Sequence, residues 1–562
     1  MKKYIKNICG ALAAVTALTA CDSKLDLTDP TKLTDEQIEG LLIDGTPEQQ
    51  QLVFGGMATG LKSYLCYRGS IMSGGFSNIS IDNEWVHNNM YRNLQCGDIV
   101  YGDGARHSSG WGQYYRNSAD NQYWDSDRES ECYGFWASPA ISISKANNIL
   151  MYLTDEVIEK SNSGLLKQYK AQALVIRGMG YMQLMERFTK AYLHGGQSGH
   201  GMPIYTTYGY NDPVAPSSAT ETWNFIINDL KEAVRLFKDS GLGSNGYTIG
   251  TTQAECYDID CGVAQYFLAK AAMWTGDYQS VITAGNDVMN AYNWSFIKEE
   301  NYGVDNSRVA GICANTDDMR SDDNAFLSIA KNPETIFGWD TDANLYNWSY
   351  LNPFANGSDM TSHAYMQIDN ALWAKMSDND YRKSRYMTEA AEFPYFAIIS
   401  GDSTWYPTKV PAYTSLKWAA TIASDESARK HDRSNSDQIL FRTSEVVLML
   451  AEAYAQSGND TEAKNTLNKL LAARTKAGAP TMTCDNTMAG MSTLDMCKLQ
   501  WRLECWLENG WAFWNAKRWN QVPTYDGSNH WSDGRTVAIE NMTWEIPDKE
   551  TQTNPHWASV SR

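Results

Sequence analysis

Apolar residues recur at helical spacing in several long stretches of the chain, and between those stretches the periodicity vanishes. The pattern predicts helices over 137–159, 165–189, 220–238, 261–292, 437–457 and 460–476. The third has a start signal, with Thr220 or Thr222 as cap and acids in the first turn. Strict strand alternation is confined to short pieces, around 334–340 and 395–399. Segments 60–136 and 293–435 are of another kind, rich in Gly, Ser, Asn, Asp, Tyr and Trp. Insertions of that length in a compact protein usually carry function.

Two of the helical stretches share a pattern. Leu268-Ala269 stand eight and seven residues before Gly276, and Leu450-Ala451 stand at the same distances before Gly458. Five residues past each glycine come Val281 and Ala463. A large-small pair, a turn glycine and a compact residue in the next helix is tetratricopeptide spacing. Compact residues let antiparallel helices approach closely. The copies lie 182 residues apart, too far for a regular solenoid, so they are read as helix pairs within one body. The expected fold class is therefore mainly α: a tetratricopeptide-like helix-pair scaffold with long irregular loop insertions and a few short strands.

The stretch WRLECWLENGWAFWNAKRWN, residues 501–520, holds five of the twenty tryptophans. On one continuous helix, Leu499, Leu503, Trp506, Leu507, Gly510 and Trp514 would form a single stripe. Trp506 and Trp514 are then core, and Trp501, Trp511 and Trp519 point elsewhere, to pack on neighbouring segments or show an edge to water. A structural role is expected for this cluster.

Composition sharpens the reading. Hydrophobic residues make up 43% of the 562, enough for a large core, and 32 Tyr and 20 Trp outnumber 15 Phe. Rings with a polar handle suit half-wet surfaces as well as interiors. The formal charge of −19 argues against nucleic acid as a partner. At the start, Lys2, Lys3 and Lys6 precede the short apolar run Ile8 to Leu18, which is the layout of a secretory signal. The run ends Leu18-Thr19-Ala20-Cys21, which resembles a bacterial lipobox, with Cys21 the residue to be lipidated. Residues 1–20 are thus expected to be the signal, 21–36 the lipidated Cys and a polar tether, and 37–562 a single body. Nine cysteines remain beyond Cys9 and Cys21, and no C-x-x-C occurs, so most are expected to be small buried residues, with one or two disulfides allowed.

Several motifs carry no chemistry. Gly241-x-Gly243-x-x-Gly246 follows a helix, not a strand, so it lacks the geometry of a dinucleotide loop. No H-E-x-x-H, G-x-S-x-G or P-loop is present. The acidic run Asp125, Asp127, Glu129, Glu131 lacks the glycine and spaced Glu of a calcium loop. No metal site or cofactor is expected, and no carboxylate pair stands out as a glycosidase dyad.

The segment 440–478, LFRTSEVVLMLAEAYAQSGNDTEAKNTLNKLLAARTKAG, resembles the C-terminal signature of the SusD/RagB family. GWAFWNAKRWN at 510–520 and WEIPDKETQTNP at 544–555 are similar to two further stretches of that family. Ala146-Asn147-Asn148, Arg177 and Asn228-Asp229-Leu230 sit where the family has similar helices. Asn515 and Asn509 depart from its usual Asp and Glu. The resemblance covers most of the chain, is strongest at 437–555, and divides the body into parts of about 37–300 and 301–562. It implies a non-enzymatic lipoprotein on the outer face of the outer membrane. Such a protein binds a glycan, or alternatively a peptide or another nutrient, for a SusC-like TonB-dependent barrel transporter. A surface hydrolase is the weaker rival.

Glycans are gripped by aromatic faces against sugar C–H faces and by planar polar groups for hydroxyls. The irregular segments offer two such sets and a further ring cluster. Trp85 and Tyr91 stand beside Asn83 and Arg92. Trp339, Tyr346, Trp348 and Tyr350 stand beside Asp340 and Asn347. Trp111, Tyr114, Tyr115, Tyr123 and Trp124 form the cluster. No residue of these sets maps onto the family by motif, so they are expectations from residue type alone.

Overall fold

The computed structural model describes residues 33–63, 92–93, 95–101, 131–209, 212–242, 258–313, 323–339, 366–399, 402–419, 437–522, 524, 526–530 and 538–560. Its N-terminal helices are α1 (Asp35–Asp44), α2 (Pro47–Ser63), α3 (Glu131–Leu150), α4 (Asp155–Ser161), α5 (Gly164–Phe188) and α6 (Ala219–Asp239). They are followed by α7 (Cys261–Thr275), α8 (Tyr278–Ala291), α9 (Thr443–Gln456), α10 (Asp460–Ala473), α11 (Thr493–Glu504), α12 (Trp511–Trp519) and the short α13 (Asp548–Thr553). Among the described residues, eight strands pair antiparallel, two by two: β1 (Ile99–Tyr101) with β5 (Met366–Ile368), and β2 (His200–Pro203) with β3 (Pro216–Ser218). The other pairs are β4 (Thr335–Trp339) with β8 (Gln438–Arg442), and β6 (Ala391–Ile399) with β7 (Asp402–Val410). No helix among the described residues is long and apolar enough to cross a membrane.

The helices pack in a continuous series. α3 lies on α5, α5 on α6, α6 on α7, α7 on α8, α8 on α9, and α9 on both α10 and α11. The helix-pair reading holds. Gly276 ends α7 at φ 80° and Gly458 precedes α10 at φ 78°, both left-handed positions that favour glycine. Val281 and Ala463 are fully buried at the pair contacts. Although the pairs are far apart in sequence, they touch directly. A Cβ on Gly285 of α8 would stand 2.9 Å from Leu450 Cδ2 of α9, so the leucine would have to shift to admit any side chain there. α5 is buried on nearly every face because α3 and α6 flank it. Its Gly178 faces Leu230 of α6, and its Gly180 faces Ile143 of α3.

Four features differ from the sequence reading. α6 starts at Ala219 and is capped by Ser218, which forms a capping box with Glu221, not by Thr220 or Thr222. The helix expected over 437–457 starts only at Thr443, because 438–442 is spent as β8, the partner that β4 needs. The helix expected over 137–159 breaks after Leu150 and restarts behind Thr154, whose side chain caps α4. The single stripe around Gly510 is interrupted. Leu507, Asn509 and Gly510 all take positive φ (61°, 49° and 69°), ending α11 and redirecting the chain into α12. That turn buries Trp501 and Trp511 together with Trp506 and Trp514, and leaves Trp519 half-buried against the same core. Cys96, Cys261, Cys484, Cys497 and Cys505 are buried free thiols.

The start of α7 carries a pH-dependent cap. Asp260 Oδ1 accepts the Val263 N–H (3.0 Å) and the Tyr292 hydroxyl (2.6 Å), while Oδ2 has no partner among the described residues. Burial raises its pKa from 3.8 to about 6, against the opposing hydrogen bonds. Between about pH 4 and 6 the folded state therefore keeps a proton that the unfolded chain has released. Stability falls as pH rises through that window and stays lower above it. Asp260→Asn, whose Oδ1 still caps the helix, is expected to remove this slope. Urea unfolding across the window checks it, and an unchanged slope in the variant contradicts it.

Candidate functional site

The two candidate ring-rich insertions meet at one ladder. In the β1–β5 pair, Tyr101 stands opposite Met366, so 102–130 departs and 340–365 returns at directly paired residues. Opposed antiparallel residues have Cα atoms only about 5 Å apart. Segment 340–365 also departs from Trp339, the last residue of β4, which pairs with Gln438 of β8.

The β1–β5 ladder is short, and side chains from far along the sequence hold it. The Asp98 carboxylate accepts Arg502 Nη2 (2.6 Å) and Nε (3.0 Å) from α11. The Asp98 carbonyl accepts the Trp506 indole N–H (2.9 Å) and the Asp369 backbone N–H (3.1 Å). Asp369 in turn accepts the N–H groups of Leu372 and Gly527, both at 2.8 Å, and lies 2.6 Å from His530 Nε2. Burial pushes the Asp369 pKa up, but His530 and the two backbone donors outweigh it and hold it below the usual range. Asn529 Nδ2 donates to the Ile368 carbonyl (2.9 Å). The tryptophan-rich segment is thus the anchor of the ladder from which the insertions spring.

Asn83, Trp85, Tyr91, Trp111, Trp124, Tyr346, Asn347, Trp348 and the lipidation candidate Cys21 lie outside the described residues. Trp339 is placed by its backbone, at the edge of β4. Arg92 requires a correction. It is fully buried and paired with Glu186 of α5, and Gly510 offers it a bare surface, with an ideal Cβ only 2.6 Å from Arg92 Nη2. A guanidinium sealed inside and committed to a carboxylate does not meet a ligand, so Arg92 leaves the binding set.

A second concavity is made by different elements. A cavity of about 310 Å³ lies between α3, α5, the segment after β2, and α13. A relay of charged and amide groups shapes it. Asp229 of α6 accepts Arg177 of α5 bidentately (2.7 and 2.9 Å), and Arg177 donates to Asn147 Oδ1 (3.0 Å). Asn147 Nδ2 then donates to the Tyr205 carbonyl (2.9 Å). The Tyr181 hydroxyl accepts the Tyr205 N–H (2.8 Å), so the rim segment is held by two helices. Asn147, Arg177 and Asp229 stood out in the sequence as helix residues. Nothing there showed that together they fix the edge of a cavity.

Residues 274–559, just over half of the chain, match the family model described as the SusD family. Residues 80–245 match one described as starch-binding associating with outer membrane. No curated protein matches the chain. Among solved structures, a SusD-like carbohydrate binding protein from Bacteroides vulgatus is similar with a TM-score of 0.59 and 18% identity, over 90% of this chain and 97% of that one. A SusD superfamily protein from Bacteroides thetaiotaomicron gives a TM-score of 0.61 and 16% identity, over 89% and 97%. Surface glycan-binding protein A from Bacteroides uniformis gives 0.56 and 14%, over 90% and 98%. At such identities these likenesses speak for the fold alone.

Proposed function

The chain belongs to the SusD family, and from that premise we propose that it captures glycans at the cell surface and delivers them to a SusC-like TonB-dependent transporter in the outer membrane. The observation that carries the reading beyond the family is the β1–β5 register. It ties the Trp111–Trp124 insertion and the Tyr346–Trp348 insertion to paired residues. Rings attached to one rigid ladder can act as one platform, and a preorganised platform loses less entropy on binding. The Trp85 and Asn83 segment supplies further candidates. Cys21 carries the lipid that keeps the protein at the outer membrane, facing outward. Binding without turnover fits a sequence in which no acid/base pair or nucleophile stands out.

A panel of oligosaccharides and oligopeptides titrated into the purified chain tests the ligand class. A glycan is expected to bind. Trp348→Ala or Trp111→Ala is each expected to weaken it several-fold, as one stacked ring contributes about 1 kcal/mol. Saturation by peptides with no glycan response assigns the other nutrient class. Turnover of a bound glycan contradicts the non-enzymatic reading. Affinity isolation from outer membranes is expected to recover a TonB-dependent barrel, and recovery of none counts against delivery.

A further inference from the structure

We propose that the cavity between α3, α5 and α13 is a second binding site, for one neutral polyhydroxylated ring of single-sugar size. It is made by elements separate from the insertions, so it stands or falls independently of glycan capture there. Its volume of about 310 Å³ sits at the lower end for small-molecule sites, roughly 300–1,000 Å³, which suits one small ring and not a chain.

The lining has the two-sided chemistry that a sugar requires. Ala140, Ile143 and Leu184 give an apolar wall for C–H groups. Trp136 is 6% exposed, its ring is wedged edge-on against Phe188 and Trp557, and its indole N–H has no acceptor among the described residues. The Ser144 hydroxyl is equally without a partner there. Glu550 is oriented by the Trp557 indole, which donates to Oε1 at 2.9 Å, while Oε2 accepts from no group among the described residues. An N–H that opens to the cavity can donate, a carboxylate oxygen there can accept, and a hydroxyl can do both. A simple ammonium ion offers no acceptor to Trp136. Among the described residues the lining holds no Lys or Arg and one carboxylate, so an anion is disfavoured. By contrast, Asn147 and Tyr181 already spend their hydrogen bonds on the rim segment, so they shape the cavity without reading the ligand.

The test titrates the purified full chain with D-glucose, D-galactose and D-mannose, and with glycyl-glycine as a dipeptide of similar bulk. At least one hexose is expected to saturate a single site and to perturb tryptophan emission. Trp136→Phe keeps an aromatic ring at the wall but removes the N–H with the second ring of the indole, and is expected to weaken that hexose at least tenfold. Ser144→Leu, on a half-exposed helix position, fills the cavity and is expected to abolish binding. The proposal is overturned if no hexose saturates, if only the dipeptide does, or if hexose binding is unchanged in both variants.

Discussion

Replacing Glu504 by Gln is expected to lower the free energy of unfolding by about 3–5 kcal/mol, the range for breaking a buried ion pair from one side. Glu504 is fully buried at the end of α11 and holds three guanidinium groups. Arg474 approaches Oε1 at 2.7 Å, Arg442 approaches the same oxygen at 2.7 Å, and Arg382 approaches Oε2 at 2.8 Å. Glu334, also fully buried, bridges Arg474 (2.6 Å) and Arg442 (2.7 Å) from the strand side. With the Glu504 charge gone, Arg382 keeps Asp380 (2.7 Å) and Arg442 keeps Glu508 (2.6 Å), but Arg474 is left with only Glu334, which it shares with Arg442, and all three guanidinium groups lose a buried carboxylate. Because whole domains are stable by only about 5–15 kcal/mol, the loss is a large fraction of the total. Denaturant unfolding measures it. Glu232→Ala is the contrast, since the Glu232–Arg235 pair is exposed and its loss is expected to cost about 1 kcal/mol or less. Equal losses in the two variants would remove the claim that burial makes the difference.

The same hub sets an acid response. Burial pushes the Glu504 pKa up, but Arg474, Arg442 and Arg382 outweigh it and hold it well below the usual carboxylate range. Glu334 is lowered for the same reason. A depressed folded pKa means that the contribution is fully present above the unfolded value near 4.5. It is lost as pH falls toward the folded value. The wild-type chain should therefore lose stability as pH drops below about 4.5, and Glu504→Gln should lose less over the same range, because one of the protonating groups is gone.

This hub also marks where sequence reading ends. The helix pairs were readable because their evidence is local: a glycine at the turn and a compact residue five positions on. Glu334, Arg442, Arg474 and Glu504 span 334 to 504, and no spacing rule joins them. Phe441 and its neighbours carry enough apolar character to pass for the first turn of α9, and only the presence of β4 opposite makes them a strand. The break at Gly510 had a local signal, since Asn509-Gly510 is a turn dipeptide and Asn tolerates positive φ, but the apolar stripe ran across it and the positive φ of Leu507 has no such signature. At the candidate site, residue chemistry picked out rings but could not place them. It also assigned Arg92 to the wrong environment, because Glu186 lies on a helix distant in sequence. The Tyr101–Met366 pairing, which ties the insertions together, is a tertiary fact with no local signature.

Glu452→Ala is expected to cost about as much as the Glu504 change, again about 3–5 kcal/mol for a stranded buried cation. It should also disorganise the tryptophan cluster. Glu452 is fully buried in α9 and serves four donors from the 501–520 segment. Arg518 approaches with Nη1 at 2.5 Å and Nη2 at 2.6 Å, Trp501 donates its indole N–H at 2.9 Å, and Trp519 donates at 2.8 Å. Trp501 lies 4.3 Å from Trp511 between ring centroids, and Trp511 meets Trp514 at 5.1 Å, so loosening one ring disturbs the next. Alanine leaves Arg518 with only the Asn515 side chain (2.9 Å) as a polar partner in this group, and two indole N–H groups without their acceptor. Trp519→Phe removes one hydrogen bond and part of a half-buried ring, and is expected to cost only about 1–2 kcal/mol. Denaturant unfolding and near-ultraviolet circular dichroism measure both variants. If Glu452→Ala matches Trp519→Phe in stability and keeps the aromatic signal, the carboxylate is not what organises these rings. If Trp519→Phe weakens glycan binding, the cluster is more than a frame.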